Sequence, residues 1–176
     1  WGMIRAEDKT PPAVTCPDPL QTAPRSLPVQ QLLGSLSVQD DRLALSGPLC
    51  SFTGVAQESG SRFYDLFRFE VTEKTVFTFE VRLSAGTPLA ALYQDEFNPR
   101  DPCKRLLKIA RPVAGQTGYF ARLDEAAYAF SLELLPGREY VLLTSSQEAG
   151  LSGDYNWAVH HQGPGKIAGL IEREEP

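Results

Sequence analysis

The sequence lacks the motifs that most catalytic and metal-binding domains carry. Its three cysteines lie far apart without a Cys-x-x-Cys pair, and its two histidines are the neighbours His160 and His161. A zinc site is therefore not expected. No Gly-x-Ser-x-Gly motif surrounds Ser152, and no glycine-rich phosphate-binding loop precedes a helix. We therefore predict that the chain is not an enzyme.

Charge and hydrophobic runs exclude two further classes of partner. The net charge is -5 at pH 7, so the chain as a whole does not attract phosphate backbones, and nucleic acid is not an expected partner. The longest apolar runs, such as Tyr140–Leu143, are far too short to span a bilayer, so membrane insertion is not expected. The chain begins at Trp1 rather than at a methionine, from which we expect a secreted, extracellular protein whose export signal has been removed.

The residues that are present are typical of one all-β domain. The 176 residues are 42% hydrophobic and include 14 glycines and 14 prolines, which suits a packed core with many turns and few long helices. Short segments of alternating apolar and polar residues recur from Val29 onward. Eight or nine such strands predict an antiparallel two-sheet β-sandwich, jelly-roll-like, with a closed barrel as the alternative.

Two pairs of strands are predicted to form hairpins. Phe63–Val71 and Thr75–Leu83 alternate with period two on either side of a short polar turn. Tyr128–Leu134 and Tyr140–Thr144 do the same around Pro136-Gly137. Each pair could align its apolar residues on one face of a single sheet.

Two other strands carry specific expectations. Leu89–Tyr93 is apolar throughout, so we expect it to be buried on both faces and to pair with Leu106–Ile109. The last predicted strand ends in His160 and His161, which successive positions place on opposite faces. These two imidazoles are therefore not expected to share a metal.

The first 28 residues differ in kind from the rest. They contain six prolines, each of which fixes φ and removes a backbone donor, so residues 1–28 are predicted to form an extended N-terminal arm. A β-sandwich domain over residues 29–165 and a C-terminal tail over residues 166–176 complete the predicted organisation. The candidate partner-binding residues are the apolar side chains of the arm and a Tyr-Phe pair in a later loop: Trp1, Met3, Ile4, Val14, Tyr119 and Phe120.

The cysteines allow more than one pairing. In an exported protein, Cys50 and Cys103 could close a loop of roughly 50 residues and stabilise the fold by about 4 kcal/mol. Cys16 would then be left over as a buried thiol, as a competitor for the same disulfide, or as a bond to a neighbouring subunit. The residues alone do not decide among these three alternatives for Cys16.

A series of short motifs follows a recognisable order along the chain. In sequence they are Cys50-Ser-Phe-Thr-Gly54, Phe63-Tyr-Asp-Leu-Phe-Arg-Phe69, Thr75-Val-Phe-Thr-Phe79, Leu89-Ala-Ala-Leu-Tyr93, Phe97-Asn-Pro-Arg-Asp-Pro-Cys103, Leu135-Pro-Gly-Arg-Glu-Tyr140, Gly153-Asp-Tyr155 and Gly163-Pro-Gly165. Together they resemble the bacterial pre-peptidase C-terminal-like domain, over roughly Leu43 to Gly165. The resemblance implies a secreted β-sandwich that serves as an accessory module, and it implies a Cys50–Cys103 disulfide.

The chain departs from that family at one position. Relatives commonly carry an Asn-Asp-Asp-Gly run after the strand that follows the Pro-Cys loop, whereas Ile109–Gly115 has no carboxylate here. A calcium site at this place would lack its oxygen ligands, so none is carried over. Asp95, Glu96 and Asp101 are interpreted as acidic turn residues, with a calcium contact as the alternative. No cofactor is therefore predicted.

Two functions follow as expectations. The first is a non-catalytic extracellular structural module, a filament or surface-layer subunit, whose arm adds as a strand to a second copy or to another surface protein. In the alternative the arm folds back on its own sandwich. The second function is an accessory domain that binds polysaccharide or a matrix protein, with or without calcium.

Overall fold

Eleven strands form two antiparallel sheets that pack face to face in the computed structural model, which describes residues 29–45, 49–51, 60–113 and 127–171. The predicted two-sheet β-sandwich is confirmed. The strands are β1 (Val29–Leu36), β2 (Arg42–Leu45), β3 (Gly60–Val71), β4 (Thr75–Leu83), β5 (Pro88–Gln94), β6 (Leu106–Ile109), β7 (Arg111–Pro112), β8 (Tyr128–Leu134), β9 (Tyr140–Ser146), β10 (Gly153–His161) and β11 (Ile167–Ile171). Within the described ranges, no helix has the length and apolar character that crossing a membrane requires.

The order of strands differs between the two sheets. The five-stranded sheet runs β1-β10-β4-β8-β7, and the six-stranded sheet runs β11-β3-β9-β5-β6, with β2 as its sixth strand beside β3. β2 pairs with the first residues of β3, so that Arg42 lies opposite Phe63. The predicted C-terminal tail, residues 166–176, contains β11, which pairs with β3 through Ile167 and Val71. The arm, residues 1–28, lies outside the described residues.

The hairpin predicted from Phe63–Val71 and Thr75–Leu83 is wrong. β3 pairs with β9 in the six-stranded sheet, whereas β4 pairs with β10 and β8 in the five-stranded sheet. The short turn between them is therefore an arch that crosses from one sheet to the other. An arch needs the same alternation as a hairpin, because the apolar side of each strand still faces the core.

The second predicted hairpin is wrong for the same reason. β8 lies in the five-stranded sheet and β9 in the six-stranded sheet, and the Pro136-Gly137 turn carries the chain across. Tyr140, the first residue of β9, fixes this arch. Its hydroxyl accepts a hydrogen bond from the N–H of Leu135 at 2.9 Å and donates one to the carbonyl of Leu135 at 3.2 Å.

Aromatic side chains from both sheets build the central core. Phe79 of β4 lies at its middle and is fully buried. Its ring centroid is 5.1 Å from that of Phe130, 5.8 Å from that of Phe69 and 6.3 Å from that of Trp157. Such offset and edge-on pairs add to the free energy of area burial.

A second, smaller core covers the outer face of the six-stranded sheet. Leu43, Leu45 and Leu49 from the segment around β2 pack there against side chains of β5 and β9. Leu89–Tyr93 is therefore buried on both faces, as its apolar run predicts, and its pairing with β6 is confirmed. Consecutive residues of β5 alternate between the two cores, so this strand has no solvated face.

Candidate functional site

A disulfide between Cys50 and Cys103 fastens the outer layer of the molecule. The two Cα atoms are 5.2 Å apart and 53 residues separate the cysteines in sequence. Cys50 lies in the 3₁₀ turn Leu49–Ser51 and adopts a left-handed conformation with φ of 56°. The bond joins the segment after β2 to the loop between β5 and β6, which confirms the pairing that the family resemblance implies.

The loop on the other side of the disulfide is anchored by aromatic residues. The ring of Phe97 packs against Tyr93 and Tyr64, with centroid separations of 5.0 Å and 5.3 Å. The hydroxyl of Tyr93 donates a hydrogen bond to the carbonyl of Pro102 at 2.9 Å. Burial raises the pKa of Tyr93, so its hydroxyl stays protonated and acts as a donor. The loop is therefore held as part of the scaffold.

Two acidic residues of this loop, Asp95 and Glu96, pair with its own cations. Asp95 forms an ion pair with Arg105, and Glu96 lies 3.4 Å from the ammonium of Lys104. Arg105 Nε is also 3.5 Å from Glu96. Within the described ranges, no three His, Cys, Asp or Glu side chains are grouped so that they could hold a metal ion. The structure thus gives the two carboxylates cationic partners.

The two histidines point to opposite sides of β10, as predicted. His160 is 6% exposed on the outer face of the five-stranded sheet, where its Nε2 lies 3.3 Å from Glu80, itself 4% exposed. His161 faces the core side, and its ring centroid is 5.9 Å from that of Phe77. The geometry therefore does not bring the two imidazoles together.

A groove between β6 and β8 is a feature that sequence analysis missed. Its volume is about 510 Å³, and its described lining combines apolar residues such as Leu107 and Phe130 with Lys108, Arg111 and Ser131. Lys108 lies opposite Leu92, whose side chain belongs to the central core, so Lys108 shares the face that points toward the other sheet. In the sequence, the only local sign of the groove is that Lys108, a charged residue, takes a position that faces the other sheet. The groove itself forms only where β6 of one sheet meets β8 of the other.

A buried arginine also escaped sequence analysis. Arg62 of β3 is 0% exposed, and its Nε and Nη2 donate hydrogen bonds to the carbonyl of Gln147 at 3.1 Å and 2.9 Å. Its Nη1 donates to the carbonyl of Gly60 at 2.9 Å. Arg62 therefore ties the start of β3 to the end of β9 and acts in the scaffold.

The predicted partner-binding residues belong to none of the features described above. Trp1, Met3, Ile4, Val14, Tyr119 and Phe120 all lie outside the described residues, as does Cys16. In comparisons with known proteins, no family model matches the chain and no curated protein matches it.

Proposed function

We propose that this chain is a non-catalytic extracellular structural module that assembles with copies of itself, or with another surface protein, through its N-terminal arm. The double-layered, disulfide-fastened scaffold carries the proposal. The strands β5 and β9 are buried on both faces, which leaves little of the sandwich free to rearrange. A rigid sandwich presents its sheet edges in a fixed geometry, which strand addition requires.

The disulfide supports the extracellular part of the proposal. Disulfides persist in oxidising compartments and are rare where thiols are kept reduced. The resemblance to secreted pre-peptidase C-terminal-like modules agrees with the same location. A filament or surface-layer subunit is the form of assembly that we propose.

The arm would supply the binding energy. A strand added to a sheet edge gains main-chain hydrogen bonds, and its apolar side chains give specificity. Trp1, Met3, Ile4 and Val14 are the side chains proposed to insert, and Tyr119 and Phe120 are proposed as a second contact.

Light scattering on the full chain and on a Met3→Asp/Ile4→Asp variant tests this function. The variant is expected to stay folded by circular dichroism and to lose its higher-mass species, because the two apolar side chains that are proposed to insert become charged. The proposal is abandoned if the variant and the wild type have the same mass at every concentration.

The groove between β6 and β8 favours a second candidate function, the binding of an anionic polysaccharide or matrix protein. Lys108 and Arg111 line it together, so a polyanion would meet two cations beside apolar side chains such as Leu107. Calorimetric titration with a sulfated oligosaccharide, with and without calcium, is expected to give heat that a Lys108→Ala variant reduces. Equal heat from the two proteins, or none from either, counts against this candidate.

A further inference from the structure

The two cysteines of the disulfide differ in how far solvent reaches them. Cys103, in the loop between β5 and β6, is exposed, whereas Cys50 is half-buried and packs against the smaller core. Among disulfides, exposed or strained ones exchange readily with other thiols, and structural ones resist reduction. A thiolate needs access to one of the two sulfurs, so Cys103 is the residue that an external thiol meets first.

The backbone around the disulfide is strained at three residues. Cys50 has φ of 56° and ψ of 46°, which lie in the left-handed region that residues with a side chain seldom occupy. Asp95 and Arg105, which flank the loop that carries Cys103, have φ of 64° and 60°. Such conformations cost free energy, persist only where the surroundings impose them, and concentrate at functional sites. Cleavage of the disulfide removes one of the restraints on Cys50.

Cys50 is placed to be held as a thiol once it is released. Its Sγ lies 3.3 Å from the carbonyl oxygen of Pro102, which also accepts the hydrogen bond from the hydroxyl of Tyr93. A disulfide sulfur has no proton to donate there, but a freed thiol has one. The thiol is a poor nucleophile compared with the thiolate, so this hydrogen bond slows the return of Cys50 to Cys103.

We propose that the disulfide is a site of covalent thiol attachment, at which a small thiol of the glutathione class attacks Sγ of Cys103 as its thiolate. A bond forms between the incoming sulfur and Cys103, and the bond from Cys103 to Cys50 breaks. The electron pair passes to Cys50, which takes a proton from water in the groove that it lines. The incoming thiol is oxidised and Cys50 is reduced, so no further oxidant is needed. This site does not depend on the arm or on assembly.

Attachment at Cys103 would untie the segment around β2. Leu43, Leu45 and Leu49 of that segment pack on side chains of β5 and β9, and the disulfide links the segment covalently to the loop after β5. After exchange, the segment is held by packing and by the pairing of β2 with β3, while Cys103 carries the new group at the surface. The modification therefore loosens the outer layer and leaves the central core in place.

Reduced glutathione tests the site on the folded chain. A full-length Cys16→Ser variant, which keeps Cys50 and Cys103, is incubated with glutathione, and free thiols are trapped with N-ethylmaleimide at early times. By peptide mass mapping, we expect glutathione on Cys103 with N-ethylmaleimide on Cys50, at least about tenfold more often than the reverse. Glutathione mainly on Cys50, equal labelling of both, or a disulfide that stays closed at every glutathione concentration overturns the inference.

The effect of urea separates attack on the folded chain from attack after unfolding. Direct attack predicts an opening rate that is proportional to glutathione concentration and constant in urea below the unfolding transition, because little new surface is exposed. A rate that rises with urea in step with the unfolded fraction would mean that unfolding opens the bond, and the inference would fail.

Two single-cysteine variants give a matched comparison of the sulfurs. In the Cys16→Ser background, Cys50→Ser leaves Cys103 as a free thiol, and Cys103→Ser leaves Cys50. With oxidised glutathione, we expect Cys103 to react at least about tenfold faster, because Cys50 is half-buried and donates to the carbonyl of Pro102. Equal rates, or a faster Cys50, in variants that are folded by circular dichroism overturn the inference. The glutathione mapping uses the native disulfide, so it decides the question if either variant fails to fold.

Discussion

The hydroxyl of Tyr140 bonds both main-chain groups of Leu135, five residues earlier, and closes the arch between β8 and β9. Its ring also stacks on Phe69 with centroids 5.7 Å apart, so one side chain joins the arch to the central core. This resembles the tyrosine corner of other sandwiches, in which a tyrosine near the start of a strand bonds back to the preceding connection.

Replacement of Tyr140 by phenylalanine removes these hydrogen bonds and keeps the ring. We expect the free energy of unfolding to fall by about 1–3 kcal/mol, because the N–H of Leu135 loses its partner at the arch. Urea denaturation measures the change. Tyr128→Phe is the control, since its hydroxyl makes no hydrogen bond with the described residues, and an equal loss in both variants would contradict the role given to Tyr140.

Loss of the disulfide should release the outer layer. A Cys50→Ser/Cys103→Ser variant is expected to lose about 4 kcal/mol of stability, the chain-entropy value for a loop closed over 53 residues. Thermal unfolding with and without reductant measures this loss in the wild type. Cys16→Ser should keep the Cys50–Cys103 bond and its stabilisation, and a comparable loss in that variant would mean that Cys16 itself takes part in a stabilising bond.

Glu148 makes stability depend on pH. Partial burial raises the pKa of its carboxyl group, but hydrogen bonds from the Ser146 hydroxyl and the Thr87 N–H outweigh burial, so the pKa lies below its ordinary value. A carboxyl group of this kind stabilises the fold above the pKa of the unfolded chain. That stabilisation is lost as the pH falls through the lower, native pKa.

Glu148→Gln should therefore flatten the acid side of the stability profile. The wild type is expected to lose stability as the pH falls below about 4.3, the ordinary value for glutamate, and the variant is expected to lose less. Chemical denaturation at a series of pH values gives both curves. Glu133→Gln is the control, because Glu133 forms an exposed ion pair with Lys74, and its curve should follow the wild type.

Arg62 should be among the least replaceable residues of the scaffold. Arg62→Met leaves the carbonyls of Gln147 and Gly60 without its donors in a buried place, and we expect a loss of about 3 kcal/mol or more. The exposed Arg138, which donates to Gln94 at 3.1 Å, serves as the comparison, and Arg138→Met should change stability by less than about 0.5 kcal/mol. Similar losses in both variants would refute the role of Arg62.

The strands could be predicted from the sequence because the alternation of apolar and polar residues follows the alternation of buried and exposed positions. Phe77, Phe79 and Val81 fall on one face of β4 in the sequence pattern, and all three are buried. Which strand pairs with which could not be predicted in the same way. Hairpins and arches place the same alternation on both sides of a short turn, so the pattern of Phe63–Leu83 did not decide between one sheet and two.

Of the candidate sites, too, some could be predicted from local sequence and others depend on the pairing of strands. Residue spacing alone left the pairing of Cys50 with Cys103 open, whereas β5 shows its double burial in its unbroken apolar run. The groove at Lys108 depends on which strands meet, and no local pattern carries that information. Arg62 is likewise buried against the carbonyl of Gln147 at the end of β9, which is far away in sequence.

Sedimentation velocity on the full chain over a concentration series, with and without reductant, tests the proposed assembly most directly. The account predicts species at multiples of 19.4 kDa that grow with concentration and persist in reductant, because main-chain pairing rather than an intermolecular disulfide joins the copies. A single species of 19.4 kDa at every concentration would contradict self-assembly.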